Sequence, residues 1–199
     1  MSGPAQLDPR EILATLRELS EGVRAPLWLF GGVAVDFLVG RWTRPHGDID
    51  LNAWAHDRTS IAEDLDRLGY ENVDTGWLTH WRQPATGRAV EIAFLQRNAQ
   101  GEAEVVIQAG DAVGTTGPHP MVPGYLDPGR WAKIGDVRFR VSHPLGELRA
   151  RLEGSRVIAG RPPDPKIDHD RRLLEDLLGV GSGRVRTGPP GAFPGRQPG

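Results

Sequence analysis

Apolar positions set the layout of the chain. Behind Asp8-Pro9, residues Ile12, Leu13, Leu16 and Leu19 recur at three- and four-residue intervals. The spacing predicts a helix that Asp8 caps, Pro9 opens and Gly22 ends. The run Pro26 to Phe30 predicts a buried strand, and Val33 to Val39 a short helix stopped at Gly40. The period then becomes two: Asp48 and Asp50 fall on one face of a strand, Ile49 and Leu51 on the other. Ile61, Leu65 and Leu68 predict a helix over Asp57 to Leu68, closed by Gly69. Short strands are expected over Tyr70 to Val73 and Trp77 to Arg82. Gly87 to Leu95 reads as a turn into a strand in which Val90, Ile92 and Phe94 alternate with Glu91, Ala93 and Leu95.

The second half is less regular. Gln96 to Pro128 has little period; a strand is expected over Glu104 to Gln108 and a loop over Gly114 to Gly124. Val137, Phe139 and Val141 alternate with Arg138, Arg140 and Ser142, predicting a half-exposed strand. His143-Pro144 opens a helix carrying Leu145, Leu148 and Leu152, and Pro165 to Leu178 is the last strong helix. From Gly179 onward the chain is rich in Gly and Pro without apolar period, and disorder is expected. The divisions expected are a core over 1–110, a strand and helical segment over 111–178, and a tail over 179–199.

Chemistry concentrates between Gly31 and Leu51. Two carboxylates on one strand face repel each other unless a cation lies between them. Hard divalent cations take such oxygen ligands, magnesium through one or two carboxylates plus substrate phosphates. Gly31 and Gly32 let backbone approach a bulky anion where a helix begins. Arg44 suits a triphosphate or Asp48, since its planar fork matches both. His46 reads as a hydrogen-bond organiser. Asp36, inside the helix, is either a surface residue or an orienting group for Arg44 and its turn.

The string Gly31-Gly32-x-Ala34-x-Asp36, followed by Gly40-Arg41-x-Thr43-Arg44-x-His46-x-Asp48-Ile49-Asp50-Leu51, resembles the nucleotidyltransferase superfamily that includes DNA polymerase beta. Within it the string is similar to the antibiotic-modifying branch of aminoglycoside 2″-nucleotidyltransferases and lincosamide nucleotidyltransferases. The resemblance implies an α/β fold: a small mixed sheet backed by helices, with a small C-terminal helical lobe. It implies magnesium on Asp48 and Asp50, with ATP or another nucleoside triphosphate as co-substrate. A third carboxylate arrives in that family from a later strand, and Glu91 matches it, either completing a metal site or deprotonating the acceptor hydroxyl. Lys166, Asp168 and Asp170 fall on the family's downstream Lys-Asp-x-x-Asp segment. Lys166 is expected to reach phosphate or the leaving group, and the two aspartates to cap and pair locally with Arg171 and Arg172. The implied reaction transfers a nucleoside monophosphate to a hydroxyl of a small molecule, an aminoglycoside or lincosamide among the candidates. The alternative is a non-catalytic or protein-modifying member of the same fold, such as an antitoxin.

Composition narrows the classes. The 199 residues contain no cysteine, so no disulfide framework and no thiolate metal site is expected, consistent with a cytoplasmic protein. No run of about 20 apolar residues is present and the first residues lack the features of a secretory signal, so no membrane association is expected. The net charge of -2 argues against a large nucleic-acid footprint while leaving room for a local basic patch. A polycationic acceptor would call for an acidic cleft, for which Glu71, Asp74 and Asp111 are candidates.

Overall fold

The computed structural model describes residues 6–73, 78–107, 117–157 and 164–180. The chain opens with α1 (Pro9–Gly22), β1 (Trp28–Phe30), α2 (Gly31–Val39) and β2 (Asp50–Trp54). One 3-10 turn (Ala55–Asp57) leads into α3 (Arg58–Arg67). Then follow β3 (Glu71–Asn72), β4 (Leu78–Arg82), β5 (Ala89–Arg97), β6 (Ala103–Ile107) and β7 (Gly117–Pro120). The hairpin β8 (Trp131–Ile134) and β9 (Val137–Arg140) precedes α4 (Pro144–Val157) and α5 (Pro165–Leu178). The α/β class, the mixed sheet with its backing helices and the C-terminal helical lobe are as expected.

The sheet runs β1-β2-β5-β4-β3, with β6 added to the far end of β5 and β7 to β6. Among the described residues β2 and β5 form the one parallel ladder. That arrangement needs a crossover, which α3 and the β3–β4 hairpin provide. The hairpin β8–β9 stands apart and joins through a bridge between Leu29 and Val141 and the hydrogen bond from Ser142 N to Leu29 O.

Alternation divides the sheet into two faces. Leu29, Leu51, Ala53, Val90, Ile92 and Phe94 turn toward α1 and α3, where Ile12, Leu16, Leu19, Ile61 and Leu65 are fully buried. The other face carries Trp28, Trp54, Ala93 and Leu95, covered by Val122, Tyr125 and Leu126. Asp50 and Glu91 belong to this second face, at its polar end. Asp8 caps α1 as expected: its Oδ1 accepts from Arg10 N at 2.7 Å, and Glu11 Oε2 accepts from Asp8 N at 3.3 Å.

Several boundaries differ from the sequence reading. Helix α2 begins at Gly31 rather than Val33, so the glycines are its first turn. Strand β2 begins at Asp50, and Asp48 lies in the lead-in; the ladder nevertheless reaches back to Ile49, whose carbonyl accepts from Glu91 N at 2.9 Å. The expected loop over Gly114 to Gly124 contains β7, because edge pairing with β6 supplies hydrogen bonds that a Gly- and Pro-rich stretch does not advertise. Strand β8 was missed, its pattern being too short to register. The boundary expected at residue 110, Asp74, Trp77, Asp111 and all of the expected tail beyond Val180 lie outside the described residues.

Ile92 is fully buried at the centre of the β5 ladder. Ile92→Ala is expected to destabilise the protein by about 2–5 kcal/mol. A urea unfolding series would show this as a lower midpoint at unchanged slope.

Candidate functional site

The register of β2 on β5 sets Asp50 directly beside Glu91. Residues at matched positions of adjacent strands point to the same face, and Asp48, ahead of the strand, is near enough for its charge to act on Asp50. Asp48 is exposed, whereas Asp50 and Glu91 are half-buried. Across the other ladder Glu91 is opposite His80, whose Nε2 lies 3.1 Å from Glu91 Oε1.

Asp50 carries the electrostatic strain of the site. Burial, then the negative charges of Asp48, Glu91 and Glu147, push its carboxyl up to about 8; Arg151 offsets only part. Asp50 also packs against Gly31, which has a left-handed φ of +72°. A Cβ there would overlap Asp50 Oδ2, and one at Gly32 would overlap the guanidinium of Arg44 and crowd His46 Nδ1. Both glycines are therefore dictated by close approach to site side chains.

The Gly31 amide is occupied: it donates to Glu147 Oε2 at 3.0 Å. Glu147, on the first turn of α4, is 1% exposed. It also accepts from Tyr125 Oη at 2.8 Å, Ser142 Oγ at 2.6 Å and Arg151 Nη1 at 2.7 Å. Asn52 Nδ2 donates to Tyr125 Oη at 3.3 Å, which closes the network onto β2.

Arg44 lies at the site but does not pair with Asp48. Its Nε and Nη2 each donate to Asp170 at 2.9 Å, and that fork, before any other charge, raises its pKa. Asp170 is 3% exposed and also accepts from Arg151 Nη2 at 3.3 Å. It thus departs from the local pairing expected of it, while Asp168 keeps that pairing with Arg171 and Arg172. Lys166 is exposed on the first turn of α5, its backbone N–H donating to the Asp164 cap at 2.9 Å. It stands one helical turn before Asp170 on the same face. Asp36 is buried and orients the turn: its Oδ1 accepts from Thr43 N and Thr43 Oγ1, and His46 Nε2 lies 2.7 Å from its Oδ2. His46 is thereby the organiser expected. Glu71 is exposed on β3, apart from these residues.

The structure therefore brings together Asp48, Asp50, Glu91, Gly31, Gly32 and Arg44. Sequence reasoning missed Glu147, His80 and Tyr125. Glu147 reads in sequence as one more acid on a helix, and only the fold shows that it is buried. His80 would have needed the β4–β5 register.

Among the described residues no three acidic or histidine side chains are preassembled around one ion. The donor chemistry still suits a hard cation. A carboxylate crowded by burial and three acidic neighbours is relieved by a divalent charge.

A family model described as aminoglycoside-2″-adenylyltransferase matches residues 12–121. A lincosamide resistance protein of Staphylococcus haemolyticus is 33% identical over 61 residues, covering 31% of this chain and 37% of that protein. A 2″-aminoglycoside nucleotidyltransferase of Escherichia coli is 34% identical over 99 residues, covering 44% of this chain and 56% of that one. These matches span between about a third and somewhat over half of the relatives' own length. The crystal structure of the lincosamide antibiotic adenylyltransferase LnuA, bound to lincomycin, superposes with a TM-score of 0.61 at 18% identity, over 87% of this chain and 99% of that one. That likeness is one of fold.

Two outcomes follow for the site. The raised Asp50 pKa means that its contribution to stability is complete below the ordinary carboxylate range, near pH 4, and is lost as pH rises through about 8. Without divalent ions, Asp50→Asn is therefore expected to melt above wild type at pH 8, the gap closing toward pH 4; calorimetry in chelator measures it. Glu147→Leu leaves Arg151 only Asp170 as a carboxylate partner, strands three further donors and is expected to cost about 3–5 kcal/mol in urea unfolding.

Proposed function

The chain belongs to the aminoglycoside-2″-adenylyltransferase family, and we propose that it transfers a nucleoside monophosphate, adenylyl for preference, from a nucleoside triphosphate to a hydroxyl of a small molecule. The observation that carries this reading is the pairing of Asp50 with Glu91 on one sheet face beside the glycine turn, with the charge of Asp48 acting on Asp50. The names of its relatives favour an antibiotic acceptor, an aminoglycoside or a lincosamide.

Asp48 and Asp50 would hold magnesium, which when bound supplies charge neutralisation for the triphosphate oxygens. The turn at Gly31 and Gly32 admits the triphosphate close to backbone. Since the Gly31 N–H is held by Glu147, its role is one of space and shape; direct phosphate contact falls to the rest of the helix start and to Lys166. Arg44, tied to Asp170, contributes positive potential and fixes the turn that leads to Asp48. Glu91 takes the proton of the acceptor hydroxyl, and His80 holds its Oε1 while it does so. The acceptor oxygen bonds to the α-phosphorus, the bond to the bridging oxygen breaks, and pyrophosphate leaves. Positioning and charge stabilisation would account for most of the rate.

Pyrophosphate release is the deciding assay, with each of four nucleoside triphosphates, magnesium and a panel of aminoglycosides and lincosamides. Release that needs one acceptor and is lost in Asp48→Asn supports the reading. Glu91→Gln is expected to lower turnover by about a hundredfold or more; a loss under about threefold would leave Glu91 structural. Release that survives Asp48→Asn would remove the carboxylate pair from the mechanism.

A further inference from the structure

Helix α2 starts without a cap of its own. Phe30, the residue before it, makes no side-chain hydrogen bond to it. The first N–H groups of a helix have no carbonyl within the helix to bond, and a nearby side-chain oxygen is what satisfies them. Here the oxygen comes from another element. Glu147 Oε2, on the first turn of α4, accepts from Gly31 N at 3.0 Å, from 116 residues away. A carboxylate is also the charge favoured at the positive end of a helix.

Three side chains hold this carboxylate in place. Its Oε1 accepts from the hydroxyls of Tyr125 and Ser142, and its Oε2 accepts from Arg151 as well as from Gly31. Tyr125 is tied in turn to Asn52 on β2, and Arg151 to Asp170 on α5. Glu147 is 1% exposed, so it touches no ligand itself. It reaches the site through Gly31, where the backbone has its left-handed φ and packs against Asp50.

Building on the transfer reading above, we propose that Glu147 is a positioning residue for the nucleoside triphosphate: as a cap supplied by α4, it fixes the start of α2 so that the glycine turn and the amides after Gly31 meet the phosphates in one geometry. The hydrogen bond, rather than the charge, carries the effect. The two oxygens make these separable. Both donors on Oε1 are hydroxyls, which accept as well as donate, whereas the amide and the guanidinium on Oε2 only donate. Glu147→Gln, with its carbonyl oxygen in the Oε2 place and its NH2 in the Oε1 place, therefore keeps the Gly31 bond and loses the charge. Glu147→Asp keeps the charge and withdraws it by one methylene.

Calorimetric titration of the full chain with each of the four nucleoside triphosphates in magnesium tests this, at a temperature below the melting of every variant. For a triphosphate that wild type binds, Glu147→Gln is expected to stay within about threefold of the wild-type Kd, and Glu147→Asp and Glu147→Leu to bind at least about tenfold more weakly. Leu16→Ala truncates a fully buried side chain of α1, away from the site. It should lower melting and bind as wild type does, which separates positioning from stability. If Glu147→Leu does not fold, Glu147→Gln and Glu147→Asp carry the comparison. Undiminished binding by Glu147→Asp overturns the proposal and leaves the transfer reading standing. So does a loss in Glu147→Gln as large as that in Glu147→Asp, which would assign the effect to charge, or an equal loss in Leu16→Ala, which would make it general loosening. Failure of wild type to bind any triphosphate removes the transfer reading and this proposal with it.

Discussion

The parallel pairing of β2 with β5 is the constraint on which the site depends. One register step decides that Asp50 meets Glu91, and a slip by one residue would turn either carboxylate into the core with Ile49 or Ile92. The register is held from the other face, where Leu51, Ala53, Ile92 and Phe94 are packed against α1 and α3. Burial on one side of the sheet thus fixes a crowding of like charge on the other. The crowding is local and unfavourable, and the apolar layer behind it makes it affordable.

A second constraint acts from the C-terminal lobe. Glu147 and Asp170 are acids from α4 and α5, each almost wholly buried. Arg151 bridges them, and Arg44 attaches Asp170 to the turn before Asp48. Buried ion pairs contribute little net stability once desolvation is counted, but removing one partner is expensive. Such a chain of pairs therefore specifies geometry more than it adds stability. Here the geometry is that of Gly31, held through its amide, and of the lead-in to Asp48, held through Arg44.

This division explains what could be read from sequence. The helices α1, α3 and α5 and the strands β2, β4 and β5 follow from local period and caps, because their stabilising faces repeat along the chain. Gly31, Gly32, Asp48 and Asp50 lie within one short stretch, and the resemblance it carries is dense. Asp36 and His46 fall in the same stretch, and their orienting contact lies within it. By contrast, Arg44 finds its partner 126 residues away in Asp170, and Glu147 reaches Gly31 across 116 residues. No local pattern distinguishes those acids from the solvated ones beside them: Asp168 and Asp170 are two residues apart, and one pairs along its own helix while the other crosses to another element. Period-two and helical spacings report burial of apolar side chains, and they are silent about a buried carboxylate.

The same reasoning bears on how the site tolerates its own charge. Of the four acids that gather around the glycine turn, Glu147 is satisfied by four donors and Glu91 by His80. Asp48 is solvated at the edge. Asp50 is left as the group whose ionised form the fold does least to stabilise, and it packs directly against Gly31. Were the cluster purely structural, a network that supplies Glu147 with four donors would be expected to extend one to Asp50. The donors stop at Gly31 N, and at neutral pH Asp50 is left to hold its proton.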